Sequence, residues 1–278
     1  MTGINKMSQR KHYRAADHTF VVCAYGESRY IEECIRSLLN QSLKTNIIMT
    51  TSTPNEYLKA ISKKYGIELI VNKELQGNSN IASDWNFAVS CAKTPLVTIA
   101  HQDDVYKREY TRKIIASANK AKKPLIIFTD YGELREGKEV TNNKLLNIKR
   151  IMLLPLRLRI FWPSVFVRRR ILSIGSPICC PSVTYVPENL PSELFIPGYL
   201  GGIDWQAWER YSRLKGDFVF ANEILMLHRI HIESATTSII QGHQRSQEDY
   251  DMFCKFWPKW FARIIAHYYR KGESQNEL

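Results

Sequence analysis

The 278-residue sequence predicts an α/β fold: a mostly parallel central sheet flanked by helices, with a helical segment at the C-terminal end. Three observations carry that prediction. Short apolar runs alternate with amphipathic stretches through the first half of the chain. The runs are close to continuously apolar, as in strands covered on both faces. The last stretch, SQEDYDMFCKFWPKWFARIIAHYYRK (246–271), has helical periodicity that Pro258 must kink or break.

The elements follow in order. TFVVCAY (19–25) is the first strand, rich in β-branched and aromatic residues. SRYIEECIRSLLNQSL (28–43) spaces Ile31, Cys34, Ile35, Leu38 and Leu39 as a helical stripe, with Ser28 in the N-cap region. NIIMT is a strand, PNEYLKAISKKYG a helix closed by Gly66, and IELIV a strand. NIASDWNFAVSCAK is a helix, PLVTIA a strand, VYKREYTRKIIASA a helix, and PLIIFTDY a strand. The alternation then stops. KRIMLLPLRLRIFWPSVFVRRRIL (149–172) mixes basic and bulky apolar residues without an acid, and Pro155 and Pro163 preclude one uninterrupted helix. SPICCPSVTYV reads as a strand, IDWQAWERYSRLKG as a helix closed by Gly216, and DFVFANEILMLHRIH as one or two strands.

Composition bounds the function. A hydrophobic fraction of 44% and a charged fraction of 24% are those of a globular protein. The net charge of +12 points to an anionic partner: nucleotide phosphate, nucleic acid or a membrane surface. No run approaches the ~20 apolar residues that span a bilayer. The polar start, MTGINKMSQRKHYRAADH, lacks the apolar core of a signal peptide, so a cytoplasmic location is expected. The six cysteines show no CxxC spacing and read as reduced thiols rather than a zinc site or disulfide framework.

In parallel α/β sheets ligands bind beyond the carboxyl ends of the strands. That rule puts Ala24 to Glu27, the loop TTSTPN (50–55) and the pair Asp103–Asp104 on one rim. Two carboxylates about 4 Å apart repel by ~4 kcal/mol at an effective dielectric near 20. A helix cap accounts for one of them; a bound cation accounts for both. Two phosphate motifs fail. AYGESRY has one glycine where a dinucleotide fingerprint needs three, and GELREGKE has Glu139 where a P-loop needs Ser or Thr.

Four blocks, in order between about residues 18 and 240, resemble family 2 glycosyltransferases of the bacterial surface-glycan type. TFVVCAYGESRYIEECIRSLLNQSL resembles the opening strand, turn and helix, and HQDDVY the Asp-x-Asp-Asp segment. DWQAWERYSRLKG resembles the acidic helix, and LMLHRIHIESAT the Tyr-Arg-x-His-x-x-Ser-x-Thr stretch. The resemblance implies a GT-A fold over 18–240, a polar extension over 1–17, the basic apolar insertion at 149–172 and a helical segment over 241–278. It implies transfer of a sugar, with inversion, from a nucleotide-sugar donor of the UDP type to a hydroxyl of a glycan or lipid-linked acceptor.

Carried over, Ala24, Tyr25 and Glu27 line the nucleoside pocket, joined by Thr51, Ser52 and Asp84. Asp103 and Asp104 hold the ribose and a divalent Mn²⁺ or Mg²⁺, with His231 as a further candidate ligand. Asp204 is the general base on the acceptor. Arg229 and His228 stand at the departing diphosphate, and Trp205 beside the acceptor. The sequence departs from the family pattern at several positions. Cys23 and Gly26 replace the usual Pro and Asn, Thr51 or Ser52 stands where an acid often reads the base, and His101 occupies the first acidic position of Asp-x-Asp-Asp. Ile203 precedes Asp204 where Glu is frequent.

Plainer readings stand beside these. Asp204 could cap its helix, His231 could be a satisfied core histidine, and Trp85, Trp205 and Trp208 could be core. HRIH has an HxxH look but lies on strand-like sequence, which disfavours a zinc hydrolase. The basic residues Lys149, Arg150, Arg157, Arg159 and Arg168 to Arg170 are either a solvated face or a contact for an anionic membrane or an acceptor diphosphate. On the membrane reading the protein is peripheral on the inner face. The alternative function is a non-catalytic module binding membrane or nucleic acid through 149–172. RNA-binding and helix-turn-helix signatures are missing, so no nucleic-acid partner is expected. A nucleotidyltransferase of related fold lacks its Gly-rich loop here.

Overall fold

The computed structural model describes residues 12–76, 79–231 and 244–274. Its sheet has nine strands. Four are parallel in the order β3 (Glu68–Val71), β2 (Asn46–Thr51), β1 (His18–Ala24) and β4 (Leu96–His101). The helices α1 (Ile31–Leu39), α2 (Glu56–Tyr65) and α3 (Ile81–Cys91) connect them. Phe20, Val21 and Val22 of β1 are fully buried, as a central strand covered on both faces requires. Helix α2 ends at Gly66 in the left-handed region (φ 62°), and Asn55 caps its start by accepting from Leu58 N at 2.8 Å. Ser28 lies two residues ahead of the α1 cap, Tyr30, and makes no side-chain bond into the helix.

Beyond β4 the sheet becomes mixed. β8 (Val183–Tyr185) is antiparallel to both β4 and β6 (Pro124–Arg135). β6 runs parallel to the long β9 (Asp217–Ile230), and β5 (Val105–Tyr106) is antiparallel to β9. The helix expected over 105–118 therefore loses its first turn: α4 spans Tyr110–Ala118. Tyr106 N is taken by Ser37 Oγ (3.0 Å) and Lys107 N by Leu225 O (2.8 Å), which commits that segment to the sheet. SPICCPSVTYV yields a strand at Val183–Tyr185 alone, because Cys180–Ser182, with Pro181, form a 3₁₀ turn. GELREGKE is a hairpin into β7 (Lys138–Val140), turning through Glu136 and Gly137 at positive φ.

The insertion folds as α5 (Lys144–Leu153), 3₁₀ turns at Leu154–Arg157 and Arg159–Phe161, and α6 (Val165–Leu172), the prolines falling between helices. Helix α7 (Ile203–Ser212) follows β8. Its chain leaves through Gly216, where a Cβ would sit 2.7 Å from the Lys123 carbonyl. Pro258 separates α8 (Gln244–Cys254) from α9 (Lys259–Ser274). Both pack on the core: Met252, Phe253 and Ala262 are fully buried. At the other end Tyr13 is buried and exchanges two bonds with Asn119, so the chain joins the core before β1. Residues 1–11 and the Ser-x-Thr part of the fourth block (232–243) lie outside the described residues.

Candidate active site

The paired aspartates sit on the turn between β4 and β5, and the end of β9 holds them there. Asp104 is fully buried, and its Oδ1 accepts from Arg229 N at 2.8 Å and pairs with His228 Nδ1 at 3.0 Å. Asp103 Oδ2 pairs with His231 Nε2 at 2.9 Å. Neither carboxylate caps α4, which begins six residues later. The Asp104 Oδ2 accepts no hydrogen bond from any described residue, and His101 Nδ1 lies 3.8 Å from it.

Burial pushes the His101 imidazole below its ordinary pKa, which keeps it neutral and able to ligate. Burial acts the same way on His228, but the Asp104 carboxylate outweighs it and holds that histidine above its ordinary value. For Asp103 burial opposes ionisation, and His101, His231 and His228 overcome it, so the carboxyl titrates below the usual range. His101, Asp103 and Asp104 each offer a ligand atom, all within 4.8 Å of one another. An orphaned buried carboxylate oxygen in such a set fits a divalent cation, so His101 belongs with the aspartates. His231 reaches the same set through Asp103.

Arg229 lies beside the aspartate turn. Its guanidinium donates to Asp103 O (2.8 Å) and Glu33 Oε2 (2.5 Å) and lies 4.2 Å over the Tyr30 ring. It braces the aspartate turn against α1.

On the β1–β2 side of the rim Tyr25 is exposed at the tip of β1, and its N and O both bond the Gln102 amide, each at 3.0 Å. Gln102 thereby locks the Tyr25 turn to the aspartate turn, a tie the sequence reading missed. Ala24 is buried beneath it and Glu27 is exposed. Thr51 Oγ1 accepts from Thr53 N at 3.0 Å, and Thr53 Oγ1 accepts from Gly26 N at 2.8 Å. Ser52, Ser79 and Asp84 form a chain (2.7 and 3.0 Å), with burial raising the Asp84 pKa.

A cavity of about 220 Å³ opens beside this rim. His101 and His228 line it from the aspartate side, Asp204 and Asp249 from α7 and α8, and Tyr131 and Lys149 from β6 and α5. Asp204 is not the α7 cap: Gly202 holds that position, and the Asp204 carboxylate accepts from Trp205 N at 2.7 Å. The loop presenting it is clamped by Glu248, whose carboxylate accepts from Leu200, Gly201 and Gly202 N at 2.7, 2.9 and 3.1 Å. The C-terminal helices are thus part of the site. A second cleft, about 420 Å³, is lined by Asn72, Lys73, Ser83 and Phe87 and holds none of these aspartates.

The three tryptophans divide. Trp208 is fully buried core. Trp205 is 3% exposed and donates to Leu172 O at 3.0 Å, so it floors the cavity rather than offering a free sugar platform. Trp85 stacks on His101 at 5.1 Å between ring centroids.

Four residues of the basic insertion prove internal. Lys149 donates to the Tyr131 hydroxyl (2.9 Å), and Arg150 pairs with Asp130 (2.6 Å). Arg168 is fully buried and donates to the Ser212, Gly216 and Leu214 carbonyls after α7. Arg169 pairs with Glu209 at 2.6 Å. A solvated basic face, or a binding module acting through the whole segment, does not describe them.

The family model for glycosyl transferase family 2 matches residues 19–175. No curated protein matches the chain significantly. Among solved structures, TarS 1–349 of S. aureus aligns over 90% of this chain and 69% of its own, at 12% identity and TM-score 0.56. The same fragment in complex with UDP-GlcNAc aligns over 85% and 64%, at 14% identity and TM-score 0.57. The chain thus spans less than two thirds of that second structure. Glucosyl-3-phosphoglycerate synthase of Mycobacterium tuberculosis, in complex with Mn²⁺ and UDP-glucose, aligns over 87% and 79%, at 13% identity and TM-score 0.57. At these identities the likeness is one of fold. The family match covers more than half of the sequence, and the paired aspartates end the fourth strand of the matching fold. The chain is a member of glycosyl transferase family 2, a glycosyltransferase built on the GT-A fold.

Proposed function

We propose that the protein transfers a sugar from a UDP-sugar, with inversion and with a divalent metal, to a hydroxyl of a glycan or lipid-linked acceptor. One observation carries the reading: His101, Asp103 and the buried Asp104, whose Oδ2 accepts no hydrogen bond from a described residue, cluster beside a cavity that His101 lines from one side and Asp204 from another element. UDP-sugars and Mn²⁺ bound to proteins of this fold support it.

His101, Asp103 and Asp104 would hold Mn²⁺ or Mg²⁺, which when bound offsets the charge gathering on a departing diphosphate. Tyr25, Thr51 and the Ser52–Ser79–Asp84 chain would seat the nucleoside on the β1–β2 rim. Asp204 takes the proton from the acceptor hydroxyl as that oxygen approaches the sugar carbon from the face opposite the diphosphate. Lys149 supplies positive charge on the cavity wall, and His228, its pKa raised by Asp104, adds to it when protonated. Arg229 positions the aspartate turn rather than touching substrate.

The test is release of UDP from a panel of UDP-sugars with Mn²⁺, Mg²⁺ or EDTA, on wild type and Asp204→Asn. We expect turnover with at least one donor, lost in EDTA and lowered about 10³-fold in the variant. Turnover that is unchanged in EDTA contradicts the metal, and turnover unchanged in Asp204→Asn contradicts the base. NMR of the product anomer checks inversion.

A further inference from the structure

We propose that the face built by α5, the 3₁₀ turns after it, α6 and α9 docks on an anionic lipid bilayer, carrying the mouth of the cavity to the membrane surface. The first observation is where the large apolar side chains are exposed. Among the described residues from 13 to 143 only Tyr25 and Leu39 are large hydrophobics facing solvent. From 148 to 174 there are eight, including Ile160 at 77% and Phe166 at 73% exposure, and α9 adds three.

Helix α9 shows the pattern residue by residue. Ala262 and Ala266 face the core, while Trp260, Ile264 and Tyr268, at i, i+4 and i+8, form an outward apolar stripe. The outward face of a surface helix is ordinarily polar. On α5, Ile148 and Ile151 face outward opposite the buried Leu146 and Leu153, and Leu154 continues the stripe.

These pieces are neighbours in space. The Arg170 guanidinium lies 4.7 Å from the Trp257 ring and 5.8 Å from the Phe166 ring, joining α6 to the start of α9. Trp257 Nε1 donates to Ser173 O at 2.7 Å. A Cβ on Gly175 would meet Tyr269 at 3.2 Å and Met152 at 3.8 Å. The residues next to these three in sequence, Ile174, Tyr268 and Ile151, are all exposed. Tyr269, Lys149 and Ser176 also line the cavity, so the face borders its mouth.

Charge selects the occupant. No Asp or Glu occurs between Glu139 and Glu188. Lys149, Arg150, Arg168 and Arg169 are used internally, which leaves Lys144, Arg157, Arg159, Arg170, Lys259 and Arg263 exposed among the apolar side chains. In a two-fold dimer the same patch meets itself, bringing its cations against cations, and the 140–187 stretch supplies no acid to offset them. An anionic lipid surface complements both properties: it attracts the cations and takes outward Trp, Phe and Ile side chains ~5–10 Å into the headgroup region. Among the described residues no helix is long and apolar enough to cross a membrane, so the contact is peripheral.

The test is flotation with vesicles of phosphatidylcholine alone and of equal parts phosphatidylcholine and phosphatidylglycerol. We expect the wild type to float with the mixed vesicles only. Arg157→Gln with Arg263→Gln lowers the partition by ~30-fold, about fivefold per charge. Ile160→Ser with Phe166→Ser and Trp260→Ser abolishes it. Arg36→Gln with Lys59→Gln, exposed on the opposite half of the chain, leaves it unchanged. Folding of each protein is checked by circular dichroism. Failure of folded wild type to float, or flotation that the two patch variants do not alter, overturns the proposal. So does a wild-type dimer that the triple variant converts to monomer without any vesicle binding, which would assign the face to a second copy.

Discussion

The helices of the first half turn paired charges to solvent: Lys59 meets Glu56, Lys64 meets Glu32 and Arg112 meets Glu109. From Lys144 to Ile174 the exposed charges are all positive and stand among Ile, Leu and Phe side chains. The same contrast runs inside the molecule. Between β1 and β4 the core is apolar strand against helix, whereas in the later segment guanidinium groups are buried as structural parts. A basic residue in the sequence therefore has no fixed meaning: Arg168 is a buried clamp and Arg157 a free surface charge, eleven positions apart.

The contrast can be broken or sharpened at several points, in descending size. The largest effect belongs to the site at the junction of the two halves, where Asp104→Asn is expected to lower kcat about 10³-fold while the protein stays folded. Steady-state kinetics beside a thermal melt reads both quantities. Next is Arg168→Met, which leaves carbonyls at the end of α7 without their donor. It should cost about 3–5 kcal/mol in urea unfolding, where Arg157→Met stays within ~0.5 kcal/mol. Equal effects for the two arginines would erase the distinction drawn here.

Glu248→Gln tests whether the C-terminal helices serve the site. The neutral amide offers one acceptor to three backbone N–H groups, and we expect kcat to fall about tenfold with KM for the donor little changed. A change in thermal stability without that split would make Glu248 structural alone.

A pH effect, on a scale of its own, lies in the first half. His18 is fully buried between Thr98 (2.8 Å) and Thr45 (3.1 Å), and burial pushes its pKa down to about 3. The unfolded chain therefore binds a proton that the folded chain refuses. The stability His18 contributes is complete above its free pKa of ~6.5 and is lost as pH falls towards 3, by about 1.4 kcal/mol per unit. His18→Gln should flatten that acid limb in denaturation measured from pH 7 to pH 4.

Much of the first half was legible because its signals are local. Strand–helix alternation, the helix stop at Gly66, and the two aspartates after β4 are read from neighbours in sequence. His101 was visible as an oddity in the Asp-x-Asp-Asp segment, yet its place beside Asp104 needed the turn geometry. Asp249 and Glu248 carried no local sign: they come to the site on a helix whose docking is a tertiary matter. β5 was read as the first turn of a helix for the same reason, since its partner β9 lies some 120 positions away. The basic insertion was the least legible, because burial of Arg168 depends on carbonyls exposed at the end of α7.

The central claim is that His101, Asp103 and Asp104 hold a metal against a nucleoside diphosphate. The most direct measurement is the thermal melt of wild type and Asp104→Asn with UDP, each in Mn²⁺ and in EDTA. At about 100 times its dissociation constant, UDP should stabilise the wild type by ~2.7 kcal/mol in Mn²⁺. That shift should vanish in EDTA and in the variant. The same UDP shift in EDTA, or in Asp104→Asn, would contradict the claim.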